Sequence, residues 1–323
     1  MLYPLKFHPI LKEIIWGGDE ICRFKNLRPF RSGIGESWEL SHINNNISTV
    51  SNGELKGKSL DELIINYGEK LLGKKVIKQF STTFPLLIKF IDARDALSVQ
   101  VHPDDFLAKQ RHDSFGKTEM WYVIHAKKGA FLYSGFAKEI NPEKYLKSLE
   151  DDTFVSYLHK HEVNSGDVFF LPAGRVHAIG AGCFIAEIQQ TSDVTYRIYD
   201  YNRKDANGNP RELHTELAKD AIDYNLHSDY KLNYIPRKQQ VQQLVACPYF
   251  TTNLIEANSG DEIQTSHPDT FSIYICLEGN LILTDSKGYS VEIRQGETVL
   301  VPAENRFINL FFKAGGRLLE SFI

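Results

Sequence analysis

The segment Ser98-Val-Gln-Val-His-Pro-Asp104 alternates so that Gln100 and His102 share one face of a strand while Val99 and Val101 take the other. Two metal-capable groups therefore point the same way. Glu119, within Gly116-Lys-Thr-Glu-Met-Trp-Tyr-Val-Ile124, offers a carboxylate, and His177, within Leu171-Pro-Ala-Gly-Arg-Val-His-Ala-Ile-Gly180, a second imidazole. One amide oxygen, one carboxylate and two imidazoles suit a divalent ion of the zinc type. Each has a plainer reading. A histidine after a turn is more often a surface or hydrogen-bonded residue, and Glu119 could simply pair with Lys117 on the same face of a strand. The apolar neighbours Met120 to Ile124 favour burial, and a buried carboxylate must be paired or bound to a metal.

The elements that would position these groups are mostly strands. Short alternating or apolar runs bounded by Gly, Pro, Asn or Asp recur at Phe84–Phe90, Trp121–Ile124, Val168–Leu171, Phe184–Ile188, Phe271–Leu277, Leu281–Leu283 and Thr298–Val301. Helices are fewer. Ser59-Leu-Asp-Glu62 is a capping box leading into Leu63, Ile64, Tyr67 and Leu71 at helical spacing. Asn141-Pro142 reads as an N-cap with proline at the first helical position, and Thr215–Leu226 is a third candidate. The polar stretch Ser228–Gln243 reads as an interdomain boundary. The expected division is a catalytic, metal-holding domain over 1–235 and a C-terminal domain over 236–323.

Bulk properties exclude several classes. A chain of 323 residues favours two packed units. A formal charge of -4 and a pI near 6.3 give no basic field to track a phosphate backbone, so no nucleic-acid partner is expected. Cys22, Cys183, Cys247 and Cys276 are widely spaced, which argues against both a disulfide framework and a thiolate zinc site and fits a reducing cytoplasm. The first residues lack a basic region followed by an apolar run, and no stretch of 18 apolar residues occurs, so neither export nor a membrane span is expected. Oligomeric state is not legible.

A weak internal repeat sharpens the fold. Gly166-Asp-Val-Phe-Phe-Leu-Pro-Ala-Gly-Arg-Val-His177 has the spacing G-x5-P-x-G-x2-H, and Gly296-Glu-Thr-Val-Leu-Val-Pro-Ala-Glu-Asn-Arg-Phe307 repeats it with Glu304 and Phe307 in place of the second Gly and the His. The glycine permits a tight turn into a strand, and the histidine starts the next strand. This resembles the second motif of the cupin family, which implies a mainly β fold of two cupin-like jelly-roll barrels with a few helices and a metal in the first barrel only.

Taken together, Leu97-Ser-Val-Gln-Val-His-Pro-Asp-Asp105, Gly116-Lys-Thr-Glu-Met-Trp121, Leu171 to Gly182 and Glu187-Ile-Gln-Gln-Thr-Ser-Asp-Val-Thr-Tyr-Arg197 resemble, in order, the motifs of the type I (zinc-dependent) mannose-6-phosphate isomerases in their short bacterial form. The resemblance covers essentially the whole chain. It implies one zinc ion per chain held by Gln100, His102, Glu119 and His177, and an essential arginine at Arg197. It also implies a phosphate-contacting lysine nine residues before the serine of the metal strand, a spacing met by Lys89 and Ser98. Departures from ordinary cupins, with Gln100-x-His102 for His-x-His and a late Glu119, match this subgroup.

The chemistry agrees. Interconverting mannose 6-phosphate and fructose 6-phosphate requires moving a proton between neighbouring carbons through an enediol, with a cation steadying the developing oxygen charge. Glu187 is the candidate proton carrier, since burial on an apolar strand would raise its pKa toward the working range; the rival reading is a structural ion pair. Arg197 offers a fork for phosphate or for the enediolate oxygens, with Lys117 and Arg203 as further cations. Lys89 inside an apolar run needs a reason to be there, snorkelling to the edge being the plain one. Rival functions are a non-catalytic sugar-phosphate-binding paralogue and a metal-dependent cupin dioxygenase.

Overall fold

Period-two sequence gives strands, and strands dominate. The structure, a computed structural model, describes residues 1–204 and 208–323 and is mainly β, with seven α-helices among the described residues. Two sheets build the N-terminal unit. The first has six strands in the order Val168–Leu171, Glu119–Ala126, Cys183–Gln190, Leu86–Ala93, Ile10–Gly18 and Ile34–Leu40. The second has five, in the order Leu158–Glu162, Phe131–Phe136, His177–Ile179, Val99–Val101 and Tyr196–Tyr199. Trp121, Val123 and Ile185 from the first pack with Leu132 and Ile179 from the second, so the two sheets close over one apolar interior.

The C-terminal unit is one eight-stranded sheet, seven strands from residues 240–322 and an eighth, Leu5–Lys6, which pairs with Thr298–Val301. Its two longest strands, Ser272–Asp285 and Phe307–Phe322, are continuous where the N-terminal unit has separate strands. The apolar runs 271–277 and 281–283 are thus two parts of one strand region. Leu86–Ala93 is buried at every residue rather than alternately. The cause is packing on both faces: its outward Leu86, Ile88 and Phe90 meet helical Leu63, Leu71 and Val76 and the C-terminal Leu254, Ile273 and Leu319 in one shared core.

The repeat holds down to its hydrogen bonds. Gly166 and Gly296 take φ of 92° and 79°, and each N–H donates to the neighbouring strand, at Val123 O and Cys276 O, both 2.8 Å away. Past the prolines, Arg175 N bonds Pro172 O and Asn305 N bonds Pro302 O, at 3.1 and 2.9 Å. His177 then begins one strand, buried, and Phe307 the other, exposed. Two cupin-like units result.

The helices differ in extent from expectation. The Ser59 capping box is complete, but the helix ends at Tyr67, because Gly68 turns to φ 44°, and Leu71 falls in the next short helix. Asn141 caps Pro142–Glu150 as read. The third helix covers Thr215–Ala221 and stops short of Leu226, where Asp223 N is drawn to Gly174 O at 2.8 Å. All four cysteines are free. Among the described residues no helix is long and apolar enough to cross a membrane.

Candidate active site

Strand register builds the site as two rows on facing sheets. On the five-stranded sheet, Ser134, His177, Gln100 and Arg197 stand opposite one another across four neighbouring strands and so share one face. On the six-stranded sheet, the corresponding row is Trp38, Lys89, Glu187 and Trp121. Glu119 lies two residues before Trp121 on the same face, opposite Gln189.

Where the rows meet, His102, Glu119 and His177 place their ligand atoms within 4.8 Å of one another, all buried. Glu119 Oε1 is 3.2 Å from His177 Nε2, and Glu119 Oε2 is 3.6 Å from His102 Nε2. Each imidazole sets its Nδ1 against a backbone carbonyl, His102 on Val194 O at 2.9 Å and His177 on Arg175 O at 2.8 Å. That contact needs the proton on Nδ1 and leaves the Nε2 lone pairs facing the carboxylate, the tautomer a metal ligand requires. Both Glu119 oxygens and His177 Nε2 are buried without a hydrogen-bond partner among the described residues. Orphaned acceptors in this number are costly, and a cation between them would satisfy all three. The donor set therefore fits a divalent metal. Gln100 is the cross-strand partner of His177 and lines the adjoining cleft.

Electrostatics follow from burial. Desolvation holds His102 well below its ordinary pKa, helped by Lys117 and by His177, and brings His177 down to about 4, so both rings stay neutral. Desolvation, then the charge of Glu187, pushes Glu119 up to about 8, against the pull of Lys117. The pair Lys117–Glu119 exists, but inside the protein. Lys117 Nζ stands 3.4 Å from Glu119 Oε2 and 3.2 Å from His102 Nε2.

A cleft of about 310 Å³ opens beside this cluster, lined among others by Lys89, Ser98, Gln100, Lys117, Glu187 and Arg197. Lys89 does not snorkel. Its ammonium is buried 3.1 Å from Glu187 Oε1 and 4.0 Å from Glu36 Oε2. Desolvation works against its charge, but those two carboxylates prevail and hold it above its ordinary pKa. Glu187 also accepts from Trp121 Nε1 at 2.8 Å. Burial alone would raise its pKa, as the sequence suggested. Lys89, Lys117 and the Trp121 bond outweigh it, and the Glu187 carboxyl sits below its ordinary value. Glu187 is thus both an ion-pair member and a cleft residue.

Arg197 makes no ion pair among the described residues; its Nη1 donates to Glu212 O at 2.9 Å, and its Nε has no partner. Arg203 is drawn away to Asp200 and Ala96 O and does not line the cleft. Arg211, Glu36 and Trp38 line the cleft without having been singled out from sequence. Glu36 and Trp38 carried a signal, polar and aromatic residues in alternation on a strand. Arg211 carried none, since Asp200, whose carboxylate receives its Nε at 2.7 Å, places it from across a loop.

Fold and cluster together define a cupin-fold protein with a buried His–Glu–His triad that could hold a metal ion, beside a cleft lined by charged residues of both signs. Residues 5–129 match the model of the phosphomannose isomerase type I catalytic domain. The chain is 33% identical over 303 residues to the mannose-6-phosphate isomerase of Streptococcus mutans, covering 94% of this chain and 93% of that one. It is 34% identical over 305 residues to mannose-6-phosphate isomerase ManA of Bacillus subtilis, covering 93% of each. The crystal structure of the mannose 6-phosphate isomerase from Bacillus subtilis superposes with a TM-score of 0.86 at 30% identity, covering 100% of both chains. The chain belongs to the type I phosphomannose isomerase family, a family of isomerases.

Proposed function

We propose that this chain interconverts mannose 6-phosphate and fructose 6-phosphate, with one zinc ion held by Gln100, His102, Glu119 and His177. The observation that supports this most is the buried His–Glu–His cluster, with Glu119 and His177 Nε2 lacking hydrogen-bond partners among the described residues, standing beside a cleft that also holds Lys117, Glu187 and Arg197. A divalent ion bound there supplies positive charge for the substrate oxygen that becomes anionic in the enediolate. Lys117, beside the cluster, adds a second charge for the same oxygen. Glu187 carries the proton from one carbon to the next. Lys89 keeps it ionised, the form a base needs, at some cost in basicity. Lys89 and Ser98 are assigned to the phosphate. Because Lys89 already serves two carboxylates, Arg197 is the stronger cation for either the phosphate or the enediolate. Catalysis is assigned to residues 1–235 and a scaffold role to 236–323.

A coupled assay with mannose 6-phosphate tests the reading. Fructose 6-phosphate should form, a chelator should abolish its formation and zinc should restore it. Binding of the sugar phosphate by zinc-loaded protein without turnover would instead establish a non-catalytic binder.

A further inference from the structure

Lys117 and Glu119 work from a short segment, and every residue from 116 to 118 is tied down from outside the metal cluster. Asp105, the first residue of the Asp105–His112 helix, takes Gly116 N at 2.8 Å and Gln190 Nε2 at 3.0 Å on Oδ1. Gln190 in turn holds Thr118, accepting its N–H at 2.8 Å on Oε1 and donating its own N–H to Thr118 O at 3.1 Å. Lys117 N is bound to Pro103 O at 3.1 Å, next to the ligand His102. Gly116 packs closely on this helix start, since a Cβ there would lie 2.5 Å from Asp105 N and no side chain would fit. The remaining Asp105 oxygen, Oδ2, receives the Tyr249 hydroxyl at 2.7 Å. Tyr249 comes from the turn between Gln240–Ala246 and Thr251–Ala257, so the C-terminal sheet bonds directly to the residue that holds Gly116. Burial, and then the bond to Asp105, raise the Tyr249 pKa, which keeps the phenol a donor.

We propose that Asp105, Gln190 and Tyr249 form a positioning clamp that sets Lys117 and Glu119 in the metal cluster and makes the C-terminal unit a working part of the site. The proposal rests on reading that cluster as a metal site. The clamp residues touch neither substrate nor metal. They fix the reach of a ligand and of a cation, which ordinarily matters to metal sites by about 10- to 100-fold in affinity or activity.

The test uses the full chain, stripped of metal and titrated with zinc by calorimetry, with steady-state kinetics on mannose 6-phosphate and a melting curve for each variant. Asp105→Ala should weaken zinc by about 10-fold or more and lower kcat while leaving KM within about 2-fold. Asp105→Asn keeps an acceptor for Gly116 and Gln190 and a partner for the tyrosine hydroxyl, so it should restore most of both. Tyr249→Phe removes one hydroxyl without disturbing the fold and should show a smaller loss of the same kind. Zinc affinity and kcat equal to wild type in Asp105→Ala and Tyr249→Phe overturn the clamp, as does a lowered melting temperature with no change in either. A wild-type chain that takes no zinc overturns the metal reading itself, an outcome visible before any variant is made. Zinc binding without isomerisation overturns the proposed function and leaves the zinc titration to decide the clamp.

Discussion

The two units carry the same row of residues in two chemical states. In the N-terminal unit, Lys89, Glu187 and Trp121 stand opposite one another; in the C-terminal unit Asn253, Glu320 and Tyr274 do, at matching register. Trp121 Nε1 donates to Glu187 at 2.8 Å, and Tyr274 OH donates to Glu320 at 2.9 Å. Asn253 Nδ2 reaches Glu320 at 2.8 Å where Lys89 reaches Glu187 at 3.1 Å. Even His102-Pro-Asp recurs, as His267-Pro-Asp, and His267 Nε2 lies 2.7 Å from Glu320. What the second unit lacks is the His–Glu–His cluster: Phe307 stands in place of His177, and both Glu320 oxygens are hydrogen-bonded. A fully bonded carboxylate stabilises a fold, whereas one beside unpartnered acceptors and a cleft can serve chemistry.

The comparison can be broken most forcefully by copying the second unit into the first. His177→Phe, the residue found at 307, should remove the metal and cost on the order of 10²- to 10³-fold in kcat, while the circular dichroism stays that of a folded β protein. Retained zinc and activity would show that the triad is not the metal centre.

The same substitution in both rows sharpens the contrast. Glu187→Gln should lower kcat by about 10²- to 10⁴-fold if it carries the proton. Glu320→Gln should leave kcat unchanged and lower unfolding free energy by about 1–3 kcal/mol, since a buried network loses one of its two acceptor oxygens to an NH2 donor. A large kcat loss in Glu320→Gln would mean that the second row also takes part in catalysis; equal kcat in Glu187→Gln and wild type would remove Glu187 from the mechanism.

Much of this contrast was legible in the chain. Alternation located Gln100 and His102, spacing located His177, and the Gly166 and Gly296 repeat announced two units, because these are local patterns. The pairing of Lys89 with Glu187 was not legible: it depends on which strands become neighbours, and that register is set by a core shared between units. For the same reason the expected rise in the Glu187 pKa turned into a fall, since burial is readable from an apolar run and a cross-strand ammonium is not. The His267-Pro-Asp copy lay in plain sight, but with no glycine-turn spacing around it nothing marked it as a repeat until Glu320 stood beside it.

The smallest effect concerns pH and isolates the second row. Desolvation would raise the Glu320 pKa, but His267, Asn253 and Tyr274 prevail and hold it below its ordinary value. A carboxyl with a depressed folded pKa binds fewer protons folded than unfolded, so it contributes stability above the unfolded pKa of about 4.3 and loses it as pH falls through the lower folded value. Glutamine does not titrate. The stability gap between wild type and Glu320→Gln should therefore narrow steadily below pH 4 in urea melts. A gap that widens below pH 4 would mean that Glu320 is protonated in the folded protein, and that the second row is held by a neutral carboxyl rather than a carboxylate.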